Sequence, residues 1–424
     1  MTTSFSKSSV QTFGCRLNIW ESEVIKRHMD DAALTNAVII NTCAVTAEAE
    51  KQARQAIRKT RRDNPDARIV VTGCAAQIAP DIWQNMAEVD AVIGNHDKLE
   101  PETWRRLAGV NHDELPSVVG DIMTVQEVAP HLLEGFDAHT RAFLQIQQGC
   151  DHRCTFCIIP YGRGNSRSVP MQVVIDQVKR LADNGVAEVV LTGVDVTSWG
   201  HDLEGTPRLG QLIRRLLRSV PALKRLRMSS IDPAEVDPDM LAALAEDDRL
   251  MPHLHLSVQH GDDLILKRMK RRHLRDDVLR VVDEVRATRP DVVFGADMIA
   301  GFPTEDEAAH QASLELITEA GLTWLHVFPY SPREGTPAEK MPQQDGGVIK
   351  SRAAELRQAA AKAEAGFLQT RIGTMDEVLV ETGGIGHSRQ FAKVKMDKPG
   401  LTAGEIYRVK VVGASDTLLD VELT

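Results

Sequence analysis

Apolar residues along this chain come in short β-branched runs separated by longer amphipathic stretches. Val38-Ile-Ile40 and Ile69-Val-Val-Thr72 are bounded by polar turns and read as buried strands. Ser9-Val-Gln-Thr-Phe13 reads as a first strand before them. Thr46 is placed to cap a helix running to about Arg62, with Asn64-Pro65 as its stop. This strand–helix alternation, over about residues 8–125, predicts a parallel sheet. From about 140 to 345 the alternation recurs on a larger scale. Candidate strands are Phe143-Leu-Gln-Ile146, Glu188-Val-Val-Leu191, Leu226-Arg-Met-Ser229, Leu254-His-Leu-Ser257, Val292-Val-Phe-Gly-Ala-Asp297 and Trp324-Leu-His-Val-Phe328. Six β/α units predict a full or partial β/α barrel, with an open doubly wound sheet as the competing layout. Lys350 to about Thr370 is rich in Ala, Glu, Lys and Arg and reads as a long connecting helix. After Gly373 come the short runs Glu377–Val380, Phe391–Val394, Tyr407–Val412 and Leu418–Val421, separated by glycine-bearing turns. They predict a small antiparallel β-barrel of the OB type. The fold class is therefore α/β, with domains expected at 1–125, 136–368 and 371–424.

Composition narrows the class. The chain has 424 residues, 42% apolar and 26% charged, which excludes disordered, collagenous and disulfide-framework proteins. Met1–Lys7 lacks an apolar secretory core, and no apolar run approaches the roughly 20 residues that span a bilayer. A cytoplasmic protein with no membrane partner is expected. There, six cysteines read as metal-binding or catalytic residues before they read as disulfides. With 50 Lys+Arg against 60 Asp+Glu, the formal charge is −10. That disfavours a general nucleic-acid coat but leaves room for local basic patches.

Cys150, Cys154 and Cys157 form C-x3-C-x2-C just after the first strand of the second domain. Three thiolates on one loop can hold a four-iron cubane and leave one iron open to a substrate. A structural zinc usually takes four protein ligands, and His152, a possible fourth, sits awkwardly inside the first gap. The motif Cys150-x3-Cys154-x-Phe156-Cys157, opening a β/α barrel, resembles the radical S-adenosylmethionine superfamily. That resemblance implies an open iron that chelates the methionine moiety of the cofactor, with Phe156 beside it.

The other three cysteines, Cys15, Cys43 and Cys74, are far apart in sequence, and unrelated core thiols are the plain alternative. Each, however, follows a predicted strand. In a parallel sheet the carboxyl ends share one edge, where ligands bind. Gly14 and Gly73 precede two of them and would let backbone come close to a cluster. Three plus three exhausts the cysteines. The chain resembles the methylthiotransferase family, which joins an amino-terminal cluster domain, a radical S-adenosylmethionine barrel and a small TRAM β-barrel. The matching words are Gly14-Cys-Arg-Leu-Asn18, Asn41-Thr-Cys-Ala-Val-Thr46, Thr72-Gly-Cys-Ala75, Cys150 through Arg163-Gly164 with Arg167-Ser168, Leu191-Thr-Gly-Val194, Ser229-Ser-Ile-Asp-Pro233, His253-Leu-His-Leu256 with Gln259, and Gly301-Phe-Pro-Thr-Glu305. Gln259-His260-Gly261 departs from the commoner Gln-Ser-Gly.

The resemblance implies two [4Fe-4S] clusters and S-adenosylmethionine. The Cys150/Cys154/Cys157 cluster would cleave the cofactor to a 5′-deoxyadenosyl radical, and the Cys15/Cys43/Cys74 cluster would carry the methylated sulfur. Asn-Thr-Cys-x-Val-Thr at 41–46 resembles the branch that modifies C2 of N6-threonylcarbamoyladenosine at position 37, in the anticodon loop of tRNA. Other branches, acting on isopentenyladenosine tRNA or a ribosomal-protein aspartate, are the alternatives. A non-catalytic two-cluster redox or sensor protein is the remote one. An external electron donor is implied. Gly193, Ser229, Gln259 and Asp297, at or near the carboxyl ends of barrel strands two to five, are candidate cofactor-binding residues, as is Gly301. Arg163 and Arg167 can pair with a carboxylate or phosphate.

Two basic stretches are candidate phosphate contacts, with solvated helix faces as the alternative. Lys51, Arg54, Arg58 and Arg61 share one helix face, and residues 264–275 carry Lys267, Arg268, Lys270, Arg271, Arg272 and Arg275. Residues 371–424 hold seven Lys+Arg and eight Asp+Glu, so the small barrel is not basic overall.

Overall fold

A computed structural model describes residues 8–111, 117–126 and 140–424. They gather into two compact units. The first holds the described residues before 127 together with Gln147–Arg153 and Cys157–Ser168; the second holds 140–146, Cys154–Phe156 and Val169–Thr424. The expected boundary between 125 and 136 falls largely outside the described residues.

In the first unit, β1 (Ser9–Thr12), β2 (Ala37–Thr42), β3 (Arg68–Gly73) and β4 (Ala91–Val92) form a parallel sheet in that order. Every residue of β2 is buried. Alternation along the strands explains how. Val38, Ile40, Ile69 and Val71 pack on one face with Ile57 and Trp83, while Ile39 and Val70 pack on the other with Ile25 and Trp104. Each such aliphatic side chain contributes about 1.5–3 kcal/mol by leaving water. Helix α1 (Arg16–Asp31) follows β1, and helix α2 (Ala47–Asp63) follows β2. Thr46 caps α2, its side chain accepting a hydrogen bond from the Ala49 amide, and Glu48 and Glu50 place negative charge in the first turn. The basic face of α2 is met by acids: Lys51 by Glu48 at 3.8 Å, Arg54 by Glu50 at 3.5 Å, Arg58 by Glu88 at 3.9 Å and Arg61 by Asp90 at 2.6 Å.

In the second unit, β5 (Arg141–Gln145), β6 (Glu188–Thr192) and β7 (Arg225–Met228) pair in parallel, as do β8 (His253–Gln259), β9 (Val293–Ala300) and β10 (Leu322–Pro329). Isolated parallel bridges Leu226–Leu250 and Ile231–Leu256 join the two ladders. This is the six-stranded partial barrel that the alternation predicts. The helix Gly346–Thr370 leads to β11 (Met375–Val380), β12 (Ile385–His387), β13 (Lys393–Lys395), β14 (Ile406–Ala414) and β15 (Leu419–Leu423). They close a barrel in the order β11-β12-β13-β15-β14. One of its pairings, β13 with β15, is parallel, and β12 has no counterpart among the predicted runs.

The loop after β12 stoppers the amino-terminal mouth of the half-barrel. Phe391 stacks on His253, the first residue of β8, with ring centroids 5.0 Å apart and planes 10° apart. The guanidinium groups of Arg141 and Arg227 lie 5.2 and 5.1 Å from the same ring. Arg227 donates to the Ser388 and Arg389 carbonyls at 2.8 and 3.0 Å, and Trp324 Nε1 donates to the Gln390 carbonyl at 2.9 Å.

Candidate metal and cofactor sites

Strand register delivers the first cysteine set. Thr42 pairs with Gly73, so Cys43 and Cys74 leave neighbouring strands side by side at the carboxyl edge. Cys15 leaves β1 at the same edge, where Thr12 pairs with Asn41. Gly14 adopts φ +94°, and a Cβ there would lie 2.6 Å from the Cys43 sulfur. Gly73 adopts φ +101°, and its Cβ would lie 2.2 Å from the Thr42 carbonyl oxygen. Both turns therefore nest against the next strand end, which only glycine permits. Cys43 and Cys74 are buried and Cys15 is exposed. Burial, with Cys74 beside it, pushes the Cys43 thiol up to about 12, so metal coordination is what would draw out its proton.

Beside these thiols lies a buried polar network in which Arg163 pairs with a carboxylate, as its sequence position allows, and to which Glu21 and Lys98 are added by the fold. Arg163 ends the short helix Ile159–Arg163 and spends every N–H inside the protein. Nε donates to Cys74 Sγ at 3.1 Å. Nη1 donates to Glu21 Oε1 and Gln148 Oε1, both at 2.8 Å, and Nη2 to Asn18 Oδ1 at 2.7 Å and Glu21 Oε2 at 3.1 Å. Cys15 Sγ lies 4.0 Å from the same Asn18 oxygen. Lys98 Nζ reaches Glu21 Oε2 at 2.7 Å, with both side chains 0% exposed. Burial alone would push the Glu21 carboxyl up, but Arg163 and then Lys98 outweigh it and hold the group at about 2. A signal for Glu21 exists in the sequence: it falls at the i+4 position from Leu17 and four before Ile25, on the apolar stripe of α1.

The second cysteine set sits on the loop after β5. Cys150 and Cys157 fall in the first unit and Cys154 in the second. All three are half-buried. The Cys150 amide donates to the Gly164 carbonyl at 3.0 Å. Thr155 is pinned by its amide to the Met269 carbonyl and by its hydroxyl to the Arg268 carbonyl. Arg271 Nη1 lies 3.6 Å from Cys154 Sγ, and its Nη2 bonds Asp232 at 2.8 Å. The basic run 264–275 is divided: Arg268 bonds Thr304 and Arg275 bonds Glu319 and the Gly261 and Ala312 carbonyls, while Lys267, Lys270 and Arg272 are exposed, Arg272 beside Glu235.

The remaining candidates stand on the half-barrel as follows. Gly193 follows β6, Ser229 follows β7, Gln259 ends β8 and Gly301 follows β9. Gln259 has φ +69°, a conformation that a non-glycine residue adopts at a cost of about 1–3 kcal/mol. Asp297 stands within β9 rather than at its end. Its Oδ1 accepts from His255 Nε2 at 3.0 Å and from His326 Nδ1 at 3.1 Å, and Ser230 bonds its other oxygen at 3.3 Å. Burial opposes ionisation of Asp297, but the two histidine bonds outweigh it and hold the carboxyl well below the usual range. Glu305 builds the Gly301-Phe302-Pro303 turn, its Oε2 accepting from the amides of Gly301 at 2.7 Å and Phe302 at 3.0 Å. Phe156 meets Phe302 edge-on with centroids 6.5 Å apart, and Phe302 meets Tyr330 at 5.6 Å.

The donor set fits an iron–sulfur cluster in the first unit: three thiols at one sheet edge, two glycine turns that make room, and a cationic N–H aimed at a sulfur. Residues 144–317 match the radical SAM superfamily, and residues 7–94 match the Uncharacterized protein family UPF0004. The chain is 51% identical over 410 residues to the threonylcarbamoyladenosine tRNA methylthiotransferase MtaB of Rickettsia prowazekii, covering 97% of this chain and 96% of the relative. It is 34% identical over 427 residues to the protein of the same name from Thermotoga maritima, covering 96% and 94%. A tRNA-2-methylthio-N(6)-dimethylallyladenosine synthase of Cereibacter sphaeroides is 32% identical over 438 residues, covering 97% of each. Among solved structures, the radical S-adenosylmethionine methyltransferase TsrM of Kitasatospora setae shares the fold, with a TM-score of 0.56 at 15% identity over 79% of this chain and 75% of that one. From its cluster edge to its half-barrel, the chain belongs to the methylthiotransferase family of radical S-adenosylmethionine enzymes.

Proposed function

We propose that this enzyme adds a methylthio group to C2 of N6-threonylcarbamoyladenosine at position 37 of tRNA. The observation that carries the substrate is the 51% identity, over nearly the whole of both chains, to a relative bearing that activity in its name. Three domains, 1–125, 136–368 and 371–424, divide the work. Cys15, Cys43 and Cys74 hold one [4Fe-4S] cluster, and Cys150, Cys154 and Cys157 hold a second. When bound, the two clusters and S-adenosylmethionine supply the radical that opens an unreactive C–H bond and the methylthio group that replaces it.

The chain's own residues position and shelter these groups. Phe156, Phe302 and Tyr330 give an apolar wall, and Glu305 fixes the turn at Gly301 through two amides. Gly193, Ser229, Gln259 and Gly301, at the carboxyl ends of the strands where barrels bind ligands, line the cofactor's place, with Asp297 reaching it from within β9. Asp297, held ionised between two histidines, supplies a fixed acceptor. Electrons come from an external donor, and the enzyme works in the cytoplasm; among the described residues no helix is long and apolar enough to cross a membrane.

The experiment deletes the gene and analyses tRNA nucleosides by mass spectrometry. Loss of 2-methylthio-N6-threonylcarbamoyladenosine, with the unmodified precursor accumulating, is the expected result. Loss of the isopentenyl counterpart instead, in a host with no second enzyme of either kind, would reassign the substrate.

A further inference from the structure

The network around Arg163 carries an imbalance of charge. Glu21, Lys98 and Arg163 are all essentially inaccessible to solvent, and they sum to one uncompensated positive charge. A lone buried charge costs several kcal/mol unless something pairs with it. The site therefore asks for an anion, and the acceptor that can become one is sulfur: Arg163 Nε points at Cys74 Sγ from 3.1 Å, while its other N–H groups go to Glu21, Gln148 and Asn18. A four-iron centre on three thiolates has a net negative charge, which answers the excess. One-electron reduction adds a second negative charge that the same cations favour. Potentials of such clusters follow net charge and hydrogen bonds to sulfur.

We propose that Arg163 is a positioning residue that orients the Cys15/Cys43/Cys74 centre and raises its reduction potential, with Glu21 as the fork that aims it. This rests on the reading that those cysteines hold a cluster. Lysine cannot replace it, because the site uses five donors in a planar fork and an ammonium offers three. The same stretch also touches the other cysteine loop. Arg163 bonds Gln148 at 2.8 Å, and the carbonyl of Gly164 accepts from the Cys150 amide. One short segment thus sets the geometry of a ligand in each set.

The test uses the full chain carrying Cys150→Ala, Cys154→Ala and Cys157→Ala, so that only the first set can be loaded. The parent is reconstituted anaerobically with ferrous iron and sulfide, then titrated by potential with the reduced cluster read by electron paramagnetic resonance. Arg163→Gln is expected to lower the reduced-to-oxidised ratio at fixed poise about tenfold, the loss of one hydrogen bond to a charged group, which is about 59 mV for one electron. Arg163→Lys falls between, since charge stays and the fork is lost. Glu21→Gln shifts the ratio the opposite way, because it removes a negative charge; general damage to the fold would not reverse sign. A loaded Arg163→Gln protein with the parent's potential and spectrum overturns the proposal. Should that variant not fold, Arg163→Lys decides: a parent-like potential overturns it and a lower one supports it. A parent that takes up no iron overturns the cluster reading itself, an outcome separate from unchanged potentials at full loading.

Discussion

Gly73→Ala offers a sharp test of how the cluster edge is built. Gly73 combines φ +101° with ψ −174°, a region essentially reserved for glycine, and forcing alanine into it costs about 2 kcal/mol. The new Cβ would also lie 2.2 Å from the Thr42 carbonyl oxygen and 2.5 Å from the Thr42 nitrogen, both rigid backbone. Thr42 must move, and it holds two bonds in place: its hydroxyl donates to the Thr72 carbonyl at 2.6 Å and accepts from the Ala76 amide at 3.3 Å. At about 1 kcal/mol each, their loss brings the total to about 4 kcal/mol. Gly185→Ala is the control. It has φ +86° at the end of a helix with nothing within 4 Å of the added carbon, so only the torsional cost of about 1 kcal/mol applies. Hydrogen exchange on the metal-free protein, resolved to peptides covering 37–43, 68–74 and 181–188, reads the opening free energies locally. Gly73→Ala should lower protection in the first two peptides by about 4 kcal/mol and cut iron uptake; Gly185→Ala should cost about a quarter of that in the third. Equal losses at the two positions would refute the close-approach argument.

Three further outcomes follow from the site. Full reconstitution should yield about eight irons per chain, counted by iron and sulfide assay; about four would leave one set without a cluster. Cys154→Ala should abolish 5′-deoxyadenosine formation, whereas Cys43→Ala should retain it and lose methylthio transfer, both read by chromatography of single reactions; transfer by Cys43→Ala would remove the sulfur-carrying role. Glu21, held at about 2 against an ordinary 4.5, stabilises the ionised fold by about 3 kcal/mol. That contribution is complete above pH 4.5 and drains away as pH falls toward 2, so acid exchange in peptides from Arg16–Asp31 should lose this component in Glu21→Gln.

Much of the molecule was legible beforehand because its signals are local. β2 and β3 announce themselves as β-branched runs, Thr46 and Asn64-Pro65 bracket α2, and the strand-end placement of three cysteines follows from that alone. Other features depend on partners distant in sequence. Strand β12 is three residues after the Gly383-Gly384 turn and earns its place through β11 and β13. The acidic partners of the basic runs are equally distant, since Arg58, still exposed, and Arg61 find Glu88 and Asp90 about thirty residues on. Arg163 was visible as a cation near the cluster loop, but its contact with Cys74 spans 89 residues and depends on the closed fold. Lys98, at 0% exposure, gave no such hint in the sequence.

The Phe391 stopper has a consequence for how the chain is made. A ribosome delivers residues in order, so β5 to β10 are all synthesised before the loop that seals their amino-terminal ends. Until it arrives, Arg225, Arg227 and Glu188, buried in the finished protein, stand in water. At about 5–20 residues per second, the wait from β10 to Phe391 lasts several seconds. A nascent half-barrel therefore remains wet and open at its base through that interval, and a chain released before residue 388 would keep three hydrated charges where the finished enzyme has a closed floor.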